Sequence, residues 1–238
     1  MICSGVMDSG VGSAEENMDV DRRLLRILSK DSEPLLRFYE WQRPSISYGY
    51  FLSPESHLAM EKLKAHEVDV VRRPTGGGIL FHGADFTYSL FLPSGHPQYS
   101  PNTTTSYAYV HQIIVRVISR FCEASDQVAL FPQDRGEEGS IPYFCMAAPV
   151  KHDVVLNGKK VGGGAQRRTK AGLLHQGVIA LTRPSQDWLH EVCLDGKAVA
   201  HGFEMYAGSL LKEASFDDLK SARRVLRQLL QEEVKAND

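Results

Sequence analysis

Two glycine-rich segments and one cysteine are the places where this chain could do chemistry. The first segment is Arg72-Arg73-Pro74-Thr75-Gly76-Gly77-Gly78, followed by His82. Consecutive glycines bare their backbone N–H groups, and the neighbouring arginines can pair with a phosphate or a carboxylate. An activated acyl group suits such a surface. A tight glycine hairpin with solvated arginines is the plainer reading of the same spacing. The segment has neither the G-x-x-x-x-G-K-[ST] spacing of a phosphate loop nor the acidic partner of a dinucleotide fingerprint, so the glycines alone do not indicate a nucleotide.

The second segment is Asn157-Gly158-Lys159-Lys160-Val161-Gly162-Gly163-Gly164-Ala165-Gln166, with His175 and Gly177 downstream. A lysine presented there could hold a carbonyl and a phosphate together and stabilise charge developing during acyl transfer; an exposed hairpin lysine is the alternative. Cys145, in PYFCMAAP, precedes Lys160 by fifteen positions. Near cationic groups its thiolate could carry an acyl group as a thioester; as a free cysteine it could equally be a small buried apolar residue. Cys3, Cys122 and Cys193 have no motif around them. Without a Cys-x-x-Cys pair, neither a structural zinc site nor a disulfide scaffold is expected, and no metal site built from protein ligands alone.

The surrounding pattern predicts the elements that must position these groups. Ser13 and Glu16 form a capping box ahead of Val20, Leu24, Ile27 and Leu28 at helical spacing. Leu35 to Trp41 and Ser45 to Phe51 read as strands, and Ser53-Pro54 opens a helix to about Ala65. Val68 and Val70 mark a strand running into the first glycine segment, with Ile79 to His82 and Phe86 to Leu92 as strands after it. Gly95 to Thr105 reads as a loop before a long helix bearing Tyr107, Val110, Ile114, Val117, Ile118 and Phe121; Pro132 to Ile141 reads as a mobile loop. Asn157-Gly158 calls for a type I′ hairpin turn between Asp153 to Leu156 and Lys159 to Val161. Leu173 to Leu181 is a further strand, and Ser215 with Asp218 caps a last helix. This pattern implies one α+β domain with mixed, largely antiparallel sheets flanked by helices.

The 238 residues are 42% hydrophobic and 24% charged, an ordinary globular composition, and the net charge of -2 provides no broad cationic field for nucleic acid or anionic membrane. No stretch approaches the roughly 20 apolar residues that cross a bilayer. The polar, acidic start to Asp21 reads as neither a secretory nor a transit signal, so a cytoplasmic protein is expected.

RRPTGGGILFH is similar to the R-R-x-[ST]-G-G-G signature of the lipoate-protein ligase and octanoyltransferase family, within the biotin/lipoate ligase superfamily. NGKKVGGGAQRR is similar to its G-[KR]-K-[IV]-x-G-[ST]-A segment. SAEENMDVD, LLRFYEW with PSISYGYF, FTYSL and LLHQGVIAL extend the resemblance in the expected order over roughly residues 10 to 182. The resemblance implies the fold shared by biotin and lipoate ligases. It makes Lys160 the essential lysine and assigns the acyl and adenylate pocket to Arg72, Arg73, Gly76, Gly77, Gly78, His82, Gly163, Gly164, Ala165, His175 and Gly177.

Its first implication for activity is a ligase that activates lipoate or octanoate with ATP and magnesium. The acyl group then passes to a lysine on lipoyl domains of oxo-acid dehydrogenase complexes or on the glycine-cleavage carrier. Cys145 resembles the nucleophile of a cysteine-dependent octanoyltransferase class, the alternative reading; a catalytically silent subunit that binds acylated carriers is another. A biotin ligase fits RRPTGGG less well. Three positions depart from the ligase pattern: Gly83 stands where aspartate is frequent, Gly164 replaces a small hydroxyl residue, and His175-Gln176-Gly177 replaces His-His-Gly. A helical extension over residues 209 to 235 in place of a full accessory domain points to a separate accessory protein or to a different acyl donor. Arg167, Arg168 and Lys170 suggest a docking patch for an acidic acceptor domain.

Overall fold

The structure, a computed structural model, describes residues 5–132 and 141–236. Cys3 and residues 133–140 of the expected loop lie outside the described residues. In chain order the elements are β1 (Gly5–Gly12), α1 (Ala14–Ile27), β2 (Leu35–Trp41), β3 (Ser45–Tyr48), α2 (Met60–Ala65), β4 (Asp69–Arg72), β5 (Ile79–His82), β6 (Asp85–Pro93), α3 (Thr103–Cys122), β7 (Val128–Leu130), β8 (Val154–Leu156), β9 (Lys159–Thr169), β10 (Gly172–Ala180), α4 (Gln186–Val192), α5 (Gly196–Tyr206) and α6 (Phe216–Ala236). Seven strands form one sheet in the order β1-β2-β6-β10-β9-β8-β7, and three form a second in the order β4-β3-β5. The β1–β2 and β3–β4 pairs are parallel and the other pairs antiparallel, which gives the expected mixed α+β architecture.

Each sheet is sealed by helices whose apolar stripes match it. Val110, Ile113, Ile114, Val117 and Ile118 of α3 recur at helical spacing, and with Leu226 and Leu230 of α6 they pack against Phe86, Tyr88 and Leu90 of β6. Burying each such side chain contributes about 1.5–3 kcal/mol relative to exposure. A second core joins Ile46 of β3 and Ile79 of β5 to Leu63, Leu189 and Phe203 from α2, α4 and α5. Among the described residues no helix is long and apolar enough to cross a membrane.

A buried polar network ties the first helix to the sheet. Arg37 and Asp21 are both fully buried and paired at 2.6 Å. Arg37 also donates to the Asn17 carbonyl and side chain, while Asp21 accepts from Ser89 and from Gln176. Burial raises the Asp21 pKa, and the Arg37 charge with these hydrogen bonds works against that rise. Gln176 in turn accepts from Thr75 at 2.7 Å, so the network reaches the first glycine segment.

α1 opens with the expected reciprocal Ser13–Glu16 box, and Asn157 and Gly158 form the expected turn. The helix expected from Pro54 to Ala65 is interrupted instead. A single 3₁₀ turn at Pro54–Ser56 precedes a fully buried Leu58, and the backbone there bonds to the segment around Cys193. Ala59 N–H donates to the Val192 carbonyl and Leu194 N–H to the His57 carbonyl, so tertiary partners replace helical ones. The strand expected to Phe51 ends at Tyr48, because Gly49 and Tyr50 turn to donate to the Gly78 and Thr75 carbonyls. β1, α4 and α5 were not expected from sequence.

Candidate active site

The first glycine segment joins β4 to β5 and is shaped by the side chain of Arg73. Arg73 is 4% exposed. It donates through Nη1 to the Ser47 carbonyl and Oγ, and through Nη2 to the Gly76 and Gly78 carbonyls, all at 2.8–2.9 Å. Gly77 takes φ +89°, a left-handed value that glycine adopts without a steric penalty. Behind the loop, Ser47 Oγ lies 2.6 Å from His82 Nε2, and His82 Nδ1 lies 2.6 Å from Asp85 Oδ2. Trp41 stacks on the His82 ring at 4.0 Å. The His82 charge and hydrogen bond, with the Gly83 N–H, lower the Asp85 pKa against the opposing effect of its burial. His82 thus takes its carboxylate partner from the start of β6.

Positive φ at Asn157 (52°) and Gly158 (76°) turns the chain tightly, so β9 starts at Lys159 and directs Lys160 inward. β9 runs on through all three glycines to Thr169, well past the expected end at Val161. Lys160 Nζ meets Asp153 Oδ2 at 2.6 Å and donates to the Cys145 carbonyl at 2.6 Å. Asp153 is held by Val150 N–H and by Tyr107, whose hydroxyl donates at 2.7 Å and itself accepts from Gly164 N–H. A Cβ on Gly163 would lie 2.8 Å from Lys160 Cε and 3.1 Å from its Nζ, so a side chain there would displace the end of the lysine. A Cβ on Gly164 would lie 2.4 Å from His175 Nε2 and 2.9 Å from the Gln176 carbonyl. That crowding explains why this chain has no hydroxyl side chain before Ala165.

Cys145 opens a single 3₁₀ turn, Cys145–Ala147, and its Sγ accepts from Gly78 N–H at 3.1 Å. Sulfur, loop and lysine face one cavity of about 170 Å³. Of the residues singled out from sequence, Arg73, Gly77, Gly78, His82, Cys145, Lys160, Gly163, Gly164, Ala165 and Gly177 line it. Arg72, Gly76 and His175 lie outside its lining. Arg72 is exposed with its guanidinium over the Tyr50 ring, and His175 is buried behind Gly164 beside His111. Tyr107, Met18, Tyr39 and Ser47 line the cavity without having been singled out. In the sequence Tyr107 is one more member of an apolar helical stripe.

Apolar walls and one polar end suit an acyl chain with its carbonyl at the sulfur. Trp41, Leu80, Met146 and Val178 supply the apolar wall; Cys145, Lys160 and the Gly78 N–H supply the polar end.

Residues 13–204 match the family described as the lipoyl protein ligase A/B catalytic domain. The octanoyltransferase LipM of Halalkalibacterium halodurans is 32% identical over 180 residues, covering 74% of this chain and 64% of that protein. LipM of Bacillus subtilis is 32% identical over the same shares. The chain thus spans about 64% of the length of these relatives. A bi-partite lipoate protein ligase from Thermoplasma acidophilum, solved with its E2 lipoyl domain, superposes with a TM-score of 0.67 at 17% identity, covering 99% of this chain and 93% of that one. A lipoate-protein ligase A bound with ATP gives 0.66 at 16% identity, covering 98% and 95%.

Proposed function

The chain belongs to the lipoyl protein ligase A/B catalytic domain family, and from that membership we propose that it moves an octanoyl group from a carrier thioester, through Cys145, to a lysine of a lipoyl carrier domain. The observation that carries this reading is the position of Cys145 Sγ in the cavity, on Gly78 N–H and within the turn whose carbonyl binds Lys160. The relatives at about 32% identity that are named octanoyltransferases support it. ATP-dependent ligation, the first implication of the sequence resemblance, has the weaker support: its named examples here lie below 20% identity and speak for the fold alone.

In the proposed reaction the Cys145 thiolate attacks the thioester carbonyl, the tetrahedral intermediate expels the carrier sulfur as a thiolate that takes a proton from solvent, and the acyl group rests on Cys145. Two protons of the Lys160 ammonium are committed to Asp153 and the Cys145 carbonyl, and the third serves the oxyanion of the tetrahedral intermediate. Fixing the ammonium beforehand means little reorganisation when charge develops. The neutral ε-amine of the acceptor lysine then attacks the Cys145 thioester, forming the amide, losing one proton to solvent and returning the thiolate.

Intact mass of the protein and of an apo lipoyl domain tests the reading, with either an octanoyl carrier thioester or octanoate plus ATP and magnesium as donor. The expected result is acceptor modification from the thioester alone, lost in Cys145→Ala. Modification that requires ATP and survives Cys145→Ala restores the ligase reading. No acyl transfer with either donor leaves the silent binding subunit.

A further inference from the structure

The Arg73 guanidinium is buried without a matching carboxylate. Its acceptors, the Ser47 carbonyl and hydroxyl and the Gly76 and Gly78 carbonyls, are all neutral. The carboxylate of its own network, Asp85, is reached only through Ser47 and His82. A charge this deep in the protein is costly unless an anion faces it. Cys145 is placed to be that anion: Arg73 Nη2 and Cys145 Sγ lie 3.2 Å and 3.6 Å from one and the same point beside Gly77, where a Cβ would stand.

Of the other titratable groups lining the cavity, His82 is engaged by Ser47 and Asp85, and burial keeps the Tyr39 hydroxyl protonated. Lys160 is neutralised by Asp153 at 2.6 Å, and burial and the Asp153 charge keep the Tyr107 hydroxyl protonated. Burial works against the Arg73 charge, and negative charge on the neighbouring Cys145 favours it. Two opposite charges held close together each favour the charged form of the other. A planar group with five N–H donors can serve four fixed acceptors and still face the sulfur, which an ammonium cannot do.

Building on the proposed role of Cys145, we infer that Arg73 is the counter-cation that keeps Cys145 as a thiolate, held against the sulfur by the carbonyls of the glycine loop. The glycines therefore act on the nucleophile as well as on the acyl group. Arg73 acts through the sulfur beside it and is a positioning residue for the nucleophile in this scheme.

Iodoacetamide alkylation of Cys145, followed by peptide-resolved mass spectrometry between pH 5 and 9, tests the inference in wild type, Arg73→Gln and Arg73→Lys. In the wild type the half-point is expected well below the roughly 8.5 of a free cysteine. In Arg73→Gln it should move up towards that value, and alkylation at pH 6 should fall roughly tenfold or more. Arg73→Lys, which keeps the charge but has too few donors for the four acceptors, should recover only part of the loss. A folded Arg73→Gln protein with an unmoved half-point overturns the inference. Should that variant fail to fold, a wild-type half-point at or above about 8.5 overturns it equally well, and one well below supports it. Failure of the parent reading looks different: an Arg73-dependent alkylation profile in a protein that takes no acyl group from an octanoyl thioester would leave the thiolate pair standing and remove the proposed transfer.

Discussion

His111 and His175 meet edge to face at 5.2 Å, wholly buried, and the Nε2 atom of each has no hydrogen-bond partner. His111 Nδ1 donates to the His152 carbonyl, and Gln166 Nε2 donates to His175 Nδ1. Burial lowers the pKa of both, His111 from 6.5 to about 4, so the folded protein holds neutral rings where the unfolded chain would hold charged ones. Between pH 6.5 and 4 the unfolded state therefore binds more protons, and stability falls as pH falls, by up to about 1.4 kcal/mol per pH unit for each ring. Denaturant unfolding in that interval should be less pH-dependent for His111→Gln than for wild type; an unchanged slope would show that His111 protonates freely in the fold. Residue types were readable from sequence where a motif isolated them, as with Cys145 and Lys160. Tyr107 was not, because its bond to Asp153 joins α3 to the segment before β8, and no local spacing encodes it.

At the scale of elements, the hairpin is where sequence and structure agree most closely. Asn-Gly is among the few dipeptides that tolerate positive φ at both central positions, so this turn needs no tertiary support to be recognised. Replacing Gly158 by alanine at φ 76° should cost about 1–2 kcal/mol in thermal or denaturant unfolding, and transfer should weaken because the turn fixes the start of Lys160's strand. Full activity with unchanged stability would show that the strands alone set this register. The capping box of α1 was legible for the same reason: its bonds close within four residues. By contrast, β1 is a half-exposed edge strand without clean alternation, and α2 is shortened by pairing with a segment more than a hundred residues away. Such elements take their form from partners that the local sequence does not name.

Over the whole molecule, a net charge of -2 conceals a local cationic cleft beside the glycine loop. Arg26 and Arg167 line it with Tyr50 and Pro74, together with Arg22, whose charge is met by Glu15 at 2.8 Å and Asp19 at 2.5 Å. The Arg72 and Arg167 guanidinium groups lie 5.0 Å and 5.1 Å from the Tyr50 ring centre. Of the patch suggested by sequence only Arg167 faces this cleft; Arg168 turns inward to the Ser100 carbonyl and Ser106. If an acidic acceptor domain docks here, Arg26→Glu with Arg167→Glu should raise its KM roughly three- to tenfold at low salt, with the difference shrinking as ionic strength rises. Acylation of Cys145 by a small thioester should be unaffected. An acceptor KM indifferent to both charges would place docking on another face.

The Arg37–Asp21 pair has a consequence for how the protein opens. Through Asp21 it connects α1 and β2 to Ser89 of β6, to Gln176 of β10 and, by way of Gln176, to Thr75 in the glycine loop. None of these segments can detach alone without stranding a buried charge or amide, a loss of about 3–5 kcal/mol when one partner of a buried ion pair goes. The amide hydrogens of α1 and of the loop around Thr75 are thereby coupled to the same cooperative unit as the central strands. The loop that cradles the sulfur, which its glycines would otherwise leave pliable, is fastened through Thr75 to the buried polar network of the central sheet.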